Sequence, residues 1–135
     1  MIEENNRRTE SIKKGTEKIL LVDDEIIVLD VTKALLTHLE YKVLTARNGK
    51  AAITLYQENR DIDLVVLDMI MPNMQGGEFF DSLRKINPTI IVLLSSGYSL
   101  DGQAQKIMER GCNGFIQKPF NITEFSLKVR EVLDK

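Results

Sequence analysis

The sequence has little of what marks several large classes of protein. Cys112 is the only cysteine among 135 residues, so an internal disulfide and a cysteine-rich zinc site are both excluded. No apolar run approaches the roughly 20 residues needed to cross a bilayer, and the polar N-terminus has no signal-peptide core. A net charge of −2 gives no basic surface for nucleic acid or for an anionic membrane. We therefore expect a cytoplasmic domain that contacts neither directly.

What remains is the composition of a soluble globular domain. Apolar residues make up 43% and charged residues 28% of the chain, and 135 residues is the usual size of one domain. Residues 1–17 are polar, carry charges of both signs and show no sustained apolar period. We interpret 1–17 as an N-terminal tail or linker and predict that 18–135 form the folded domain.

Short apolar runs, each ending at polar residues, recur along the domain. Short continuous runs of this kind are typical of strands buried on both faces. Amphipathic stretches between the runs predict helices, with Gly111 placed to end the fourth helix and Asn121 to begin the fifth. The alternation predicts five βα units and a doubly wound parallel α/β sheet. The predicted strands are 19–22, 42–46, 64–67, 90–94 and 115–116.

Polar side chains follow the strands at one repeated place, the carboxyl end. These residues are Asp23 and Asp24, Asp68, Ser96 and Lys118. Such ends share one edge of a parallel sheet, where sites lie. Three carboxylates in one cleft need a positive charge among them, which a shared proton, Lys118 or a metal ion could supply. Oxygen ligands favour a hard cation such as Mg²⁺, and the set suits phosphoryl transfer to a carboxylate.

These motifs, taken together and in order, resemble the receiver domain of two-component response regulators. The resemblance runs from about Lys18 to the C-terminus and implies a (βα)5 flavodoxin-like fold with strand order 2-1-3-4-5. Each motif is weak alone, whereas the ordered set is highly specific. The motifs are Asp23-Asp24, Asp68 followed by Met71-Pro72 and Gly76, Ser96-Gly97, and Lys118-Pro119-Phe120.

The resemblance implies a phosphoacceptor and a metal site. Asp68 resembles the residue that accepts the phosphoryl group. Asp24 resembles the direct ligand of Mg²⁺, and Asp23 the partner that acts largely through water. Asp68 and the main-chain carbonyl of Ile70 would complete the protein's share of the metal shell.

The resemblance also implies a switch. Lys118 would pair with the acceptor and then with a phosphoryl oxygen, and its bond to Pro119 is expected to be cis. Ser96 and Phe115 resemble the switch hydroxyl and aromatic residue, although Thr and Tyr are commoner there. Their shift would bias the face formed by helix 4, strand 5 and helix 5. Ile70 and Tyr98 occupy places that tune the phosphoryl lifetime, and their bulk predicts a longer one.

The implied partner is a sensor histidine kinase or a histidine phosphotransfer domain. The chain would be either a stand-alone regulator or the receiver of a hybrid kinase. Many relatives dimerise through the helix 4 to helix 5 face, so a homodimer is a further expected state. We expect a self-modifying switch with slow autodephosphorylation, not a conventional enzyme.

Several alternatives remain beside this reading. A phosphohydrolase would need an acid/base Asp at position 70, which is Ile70, and an unphosphorylated interaction module would be expected to lack part of the acidic cluster. Flavin binding is disfavoured because Asp23-Asp24-Glu25 would repel a phosphate. Ser95 is the rival hydroxyl to Ser96, and His38 is interpreted as an ordinary helix position.

Overall fold

The main sheet has five parallel strands in the predicted order. A computed structural model of the chain describes residues 14–68, 70–71, 74–96, 102–118 and 121–134. With the strands numbered along the chain, their order is 2-1-3-4-5, which confirms the predicted arrangement. Two further strands, Ile70–Met71 and Met74–Gln75, form a small antiparallel ladder after the third strand, which was not predicted from the sequence. The sheet strands are β1 Lys18–Val22, β2 Lys42–Ala46, β3 Leu64–Asp68, β4 Ile91–Ser96 and β5 Gly114–Gln117.

Within the described residues, five helices alternate with these strands and cover both faces of the sheet. The first and fifth helices pack on one face, while the second, third and fourth pack on the other. None of the helices in the described ranges is long and apolar enough to cross a bilayer. The helices are α1 Ile26–His38, α2 Gly49–Glu58, α3 Gly76–Ile86, α4 Gly102–Glu109 and α5 Ile122–Leu133.

Alternation along each strand decides which face a side chain joins. In β4, Leu94 belongs to the core under α2, α3 and α4, whereas Leu93 belongs to the core under α1 and α5. Because successive side chains point to opposite faces, Ser95 lies on the same face as Leu93, and Ser96 lies on the same face as Leu94. The same count places Asp23 and Asp68 on the α1 and α5 face.

The helix ends follow the predicted capping chemistry where the sequence indicated it. The Asn121 side chain accepts a hydrogen bond from the Glu124 backbone N–H at 2.8 Å, which confirms the cap of α5. Gly111 has φ +103°, the left-handed conformation that commonly ends a helix. Glu40 adopts φ 75° after α1, a left-handed position that costs a non-glycine residue free energy.

Residues 14–17 are packed against the domain, on the edge opposite the predicted site. The Gly15 N–H donates to the Leu39 carbonyl at 3.1 Å, and the Lys42 N–H donates to the Glu17 carbonyl at 3.0 Å. A Cβ added at Gly15 would lie 2.2 Å from Cε1 of Tyr41, so the backbone approaches that ring closely. The predicted boundary between 17 and 18 stays a prediction, but the four residues before it are held in place.

Candidate functional site

The carboxyl ends of β1, β3, β4 and β5 bring the predicted polar residues to one edge. The register pairs Val22 with Leu67, so Asp23 and Asp68 follow side by side on neighbouring strands. Asp68 pairs in register with Ser95 on β4. Lys118 follows β5 directly, and its N–H donates to the Ser96 carbonyl at 2.7 Å. The convergence predicted from the strand ends is therefore present in the fold.

Lys118 joins the two buried carboxylates of this edge. Its Nζ lies 3.0 Å from Oδ2 of Asp23 and 3.3 Å from Oδ1 of Asp68. Both aspartates are 5% exposed, so their charges are largely removed from water. Such charges are tolerated when paired and hydrogen-bonded. The ammonium therefore supplies the positive charge that a pair of close carboxylates requires.

The protonation of Lys118 reflects two opposed effects. Burial works to lower the pKa of the ammonium, while the hydrogen bond to Asp23 and the charge of Asp68 work to raise it, and the net pKa is raised. The group therefore stays charged across the physiological range. A cation that remains charged beside Asp68 is available to neutralise added negative charge there.

Asp23 is fixed at both of its carboxylate oxygens. Oδ2 meets Lys118, and Oδ1 accepts the Glu25 backbone N–H at 3.0 Å. The Asp23 backbone N–H donates to the Ala46 carbonyl at 3.1 Å, which ties this residue to β2. The carboxylate is thus oriented before any ligand arrives.

An acidic cluster at the end of β1 fits a hard cation. Asp23, Asp24 and Glu25 each offer a carboxylate oxygen, and these atoms all lie within 4.8 Å of one another. Asp24 is half-buried and Glu25 is exposed. An all-oxygen set of this kind suits Mg²⁺. Glu25 was not among the predicted ligands, although its position directly after Asp24 was the available signal.

The remaining predicted residues lie in different places. Ser96 is buried at the end of β4 on the face away from Asp68, and Phe115 is half-buried beside a groove along α5. Ile70 begins the small ladder after β3, which is consistent with a carbonyl near the acceptor. Tyr98 and Pro119, with the lifetime and cis-bond predictions made for them, lie outside the described residues.

Ser95, which was predicted only as the rival hydroxyl to Ser96, lies on the strand beside Asp68. It is 3% exposed and stands in register with Asp68, on the same face of the sheet. The predicted switch hydroxyl of Ser96 and the rival hydroxyl of Ser95 therefore lie on opposite faces of the sheet. His38 ends α1 and is exposed, away from this edge.

Fold and site together define a doubly wound α/β domain with a buried Asp–Lys–Asp cluster beside an acidic, cation-compatible cluster. The chain belongs to the response regulator receiver domain family, whose family model matches residues 19–130. Receiver domains act as signalling switches in two-component systems, interact with histidine kinases or phosphotransfer partners, and typically bind Mg²⁺ at an acidic pocket.

Individual relatives agree with this assignment. The chain is 36% identical over 125 residues to a histidine kinase of Formosa agariphila and 34% identical over 122 residues to the sensor kinase CckA of Brucella abortus. Each match covers 90% of this chain but only 9% and 13% of those relatives. A receiver domain protein from Clostridium thermocellum has a TM-score of 0.82 and 29% identity, covering 87% of this chain and 94% of that one.

Proposed function

We propose that Asp68 accepts a phosphoryl group from a phosphohistidine on a partner protein. The observation that carries this proposal is the buried bridge from Lys118 to Asp23 and Asp68, at 3.0 and 3.3 Å. A carboxylate is a known covalent acceptor, and a cation fixed beside it lowers the cost of bringing a dianionic group close.

The reaction exchanges one bond for another. An Asp68 carboxylate oxygen forms the new P–O bond while the P–N bond to the donor histidine breaks. The electron pair of that bond goes to the imidazole nitrogen, which leaves as a neutral ring after taking up a proton. Lys118 then turns from the carboxylate to a phosphoryl oxygen, and Asp23 keeps it within reach.

The metal would be held at the same edge. The proposed protein contacts of the metal are Asp23, Asp24, Asp68 and the carbonyl of Ile70. The cluster of carboxylates formed by Asp23, Asp24 and Glu25 supports a hard cation here. Bound Mg²⁺ supplies neutralisation of the phosphoryl oxygens. The chain's own residues supply the nucleophile, the ammonium and the orientation of both.

The modification would change the face formed by α4, β5 and α5. Ser96 lies at the end of β4 and Phe115 lies in β5; the Ser96 hydroxyl would move to the phosphoryl group, and the Phe115 ring would turn inward behind it. Phe115 borders a groove with Leu127 and Lys128 of α5. Two alternative packings at such a position give a bistable surface that a partner can read.

The proposed partner is a sensor histidine kinase or a histidine phosphotransfer domain. The similarity to two kinases supports a hybrid-kinase receiver as one context, and a stand-alone regulator is the other. A homodimer through the α4 to α5 face is a further proposed state. The domain acts as a switch that slowly loses its phosphate, and bulk at Ile70 and Tyr98 would lengthen the lifetime.

Intact-mass spectrometry tests the proposal directly. The protein is incubated with acetyl phosphate, with and without Mg²⁺, as wild type, as Asp68→Asn and as Asp30→Asn. Asp30 is an exposed carboxylate on α1 and provides the matched control. We expect one phosphoryl adduct in wild type and Asp30→Asn, only with Mg²⁺, and none in Asp68→Asn. A folded wild type without an adduct would favour the unphosphorylated interaction module.

A further inference from the structure

A small cavity lies between α1 and the sheet, directly beside Lys118. Its volume is about 20 Å³, and its polar lining comprises Asp23, Thr32, Ser95 and Lys118. A cavity of about 10–15 Å³ is enough for one water molecule when two or more polar groups can bond it. The remaining lining residues are apolar and belong to β1, β3 and α1. The cavity therefore has both the size and the polar groups for one ordered water.

Two of the four polar groups interrupt surfaces that are otherwise apolar. Ser95 follows the buried run Val92 to Leu94 in β4. Thr32 lies on the buried stripe of α1, between Leu29 and Leu36. Both hydroxyls are buried, at 3% exposure for Ser95 and 9% for Thr32. A hydroxyl buried in such a position costs free energy unless it is hydrogen-bonded.

The same two hydroxyls lie far apart in sequence and line one cavity. Thr32 comes from a helix and Ser95 from a strand, and each replaces the apolar side chain that its pattern would predict. The cavity also reaches Lys118, whose ammonium has three N–H donors. Asp23 and Asp68 are its carboxylate acceptors. A water in the cavity would accept a hydrogen bond from the third N–H.

We propose that this cavity binds one water molecule that links the hydroxyls of Thr32 and Ser95 to Lys118. The water holds the ammonium against the α1 and α5 face, beside the Asp68 carboxylate. Thr32 and Ser95 are then positioning residues that act through the water on Lys118. Their effect on phosphorylation rests on the proposed function, whereas the water itself does not.

Paired substitutions separate the hydroxyl from the methyl group of Thr32. Thr32→Val keeps the shape and removes the hydroxyl, while Thr32→Ser keeps the hydroxyl and removes the methyl. Thr37→Val, at an exposed threonine of the same helix, is the control. We expect Thr32→Val to lower the phosphorylation rate at saturating acetyl phosphate about three- to tenfold, because a displaced Lys118 ammonium loses part of its preorganised interaction with the reacting group. Thr32→Ser and Thr37→Val should stay within about twofold of wild type. Ser95→Ala should behave like Thr32→Val.

If Thr32 has a purely structural role, the two Thr32 variants should show the opposite order of phosphorylation rates. Thr32→Ser would then be the more damaging change, because it leaves a gap, and Thr32→Val would be neutral. That order, or equal rates for all variants with a phosphorylated wild type, would overturn the proposal. Thermal unfolding of each variant confirms that rates are compared on folded protein.

A high-resolution crystal structure tests the water independently of phosphorylation. We expect a water in the cavity within hydrogen-bonding distance of Thr32 Oγ1, Ser95 Oγ and Lys118 Nζ, and its loss in Thr32→Val. A dry cavity in the wild type would overturn the inference even if Asp68 is phosphorylated. A wild type that holds the water but takes no phosphoryl group would contradict the proposed function alone.

Discussion

The two opposite edges of the sheet each hold a cation among acidic side chains. At the carboxyl edge, Lys118 bridges Asp23 and Asp68. At the amino edge, Nη1 of Arg130 on α5 lies 2.7 Å from Oε1 of Glu17 and 3.3 Å from the Tyr41 hydroxyl, and its other nitrogens pair with Asp134. Both clusters contain a cation and carboxylates, but they differ in burial and in the type of cation.

Burial and the choice of cation make the difference. The side chains of Asp23 and Asp68 are 8% and 6% exposed, whereas those of Glu17 and Asp134 are 27% and 61% exposed. Lysine is a compact charge on a flexible stem, while arginine binds through a rigid planar fork. In the proposed function the ammonium follows the new phosphoryl group, whereas the Arg130 guanidinium holds Glu17 against α5.

Replacing each cation in turn gives the largest expected contrast. We expect Lys118→Met to lower the rate of phosphorylation by acetyl phosphate about 100-fold, since one preorganised charge at the reacting oxygens is lost. Arg130→Met should leave that rate within about twofold. Intact-mass time courses on both variants provide the comparison. Similar losses in the two would mean that the edges are not functionally distinct.

Stability should respond in a different pattern. We expect Arg130→Met to lower the free energy of unfolding by about 1–2 kcal/mol, because its charged hydrogen bonds to Glu17 and Tyr41 are only partly exposed to water. Lys128→Met, which removes a more exposed ion pair to Glu131 on the same helix, should change it by about 0.5 kcal/mol or less. Urea denaturation measures both. An equal effect of the two would show that the Glu17 contact adds nothing.

The acid dependence of the amino edge follows from Glu17. Its hydrogen bond to Arg130 is the main reason that the pKa of Glu17 lies below the ordinary value of 4.5. A lowered folded-state pKa contributes stability that is present above pH 4.5 and is lost as pH falls through the folded value. Unfolding free energies of wild type and Glu17→Gln, measured from pH 3 to pH 7, should differ by about 1 kcal/mol at pH 7 and converge in acid. A difference in unfolding free energy that stays unchanged well below pH 4.5, the ordinary pKa of glutamate, would contradict this linkage.

Strain beside the same edge provides the smallest prediction. Glu40 has φ 75°, and its exposed side chain forms an ion pair with Lys14 at 3.7 Å. We expect Glu40→Gly to raise the free energy of unfolding by about 0.5 kcal/mol, because glycine adopts this conformation without steric cost. Glu58→Gly, near the end of α2, is the control and should lower it. Calorimetry that finds Glu40→Gly destabilising would show that the Lys14 contact outweighs the strain.

The sequence predicted the features that depend on local pattern. Apolar runs ending at Asp23, Asp68 and Lys118 predicted the parallel sheet and the shared edge, and the cap at Asn121 followed from residue type. Resemblance supplied the strand order and the individual roles, of which the roles remain proposals.

Features that depend on distant contacts were out of reach. Residues 14–17 have no apolar pattern, so nothing local indicates that Arg130, more than a hundred positions later, would hold Glu17. The hydroxyls of Thr32 and Ser95 look like isolated exceptions until the fold brings them to one cavity. The opposite faces of Ser95 and Ser96 likewise became evident only because β4 extends to Ser96, two residues beyond the predicted strand.

Mapping the phosphoryl group on the protein tests the central claim most directly. Wild type, Asp68→Asn and Arg130→Met are treated with acetyl phosphate and Mg²⁺, reduced with borohydride to mark acyl phosphates, and sequenced by tandem mass spectrometry. We expect a single mark at Asp68 in wild type and Arg130→Met, and none in Asp68→Asn. A mark at another residue, or none on folded wild type, would contradict it.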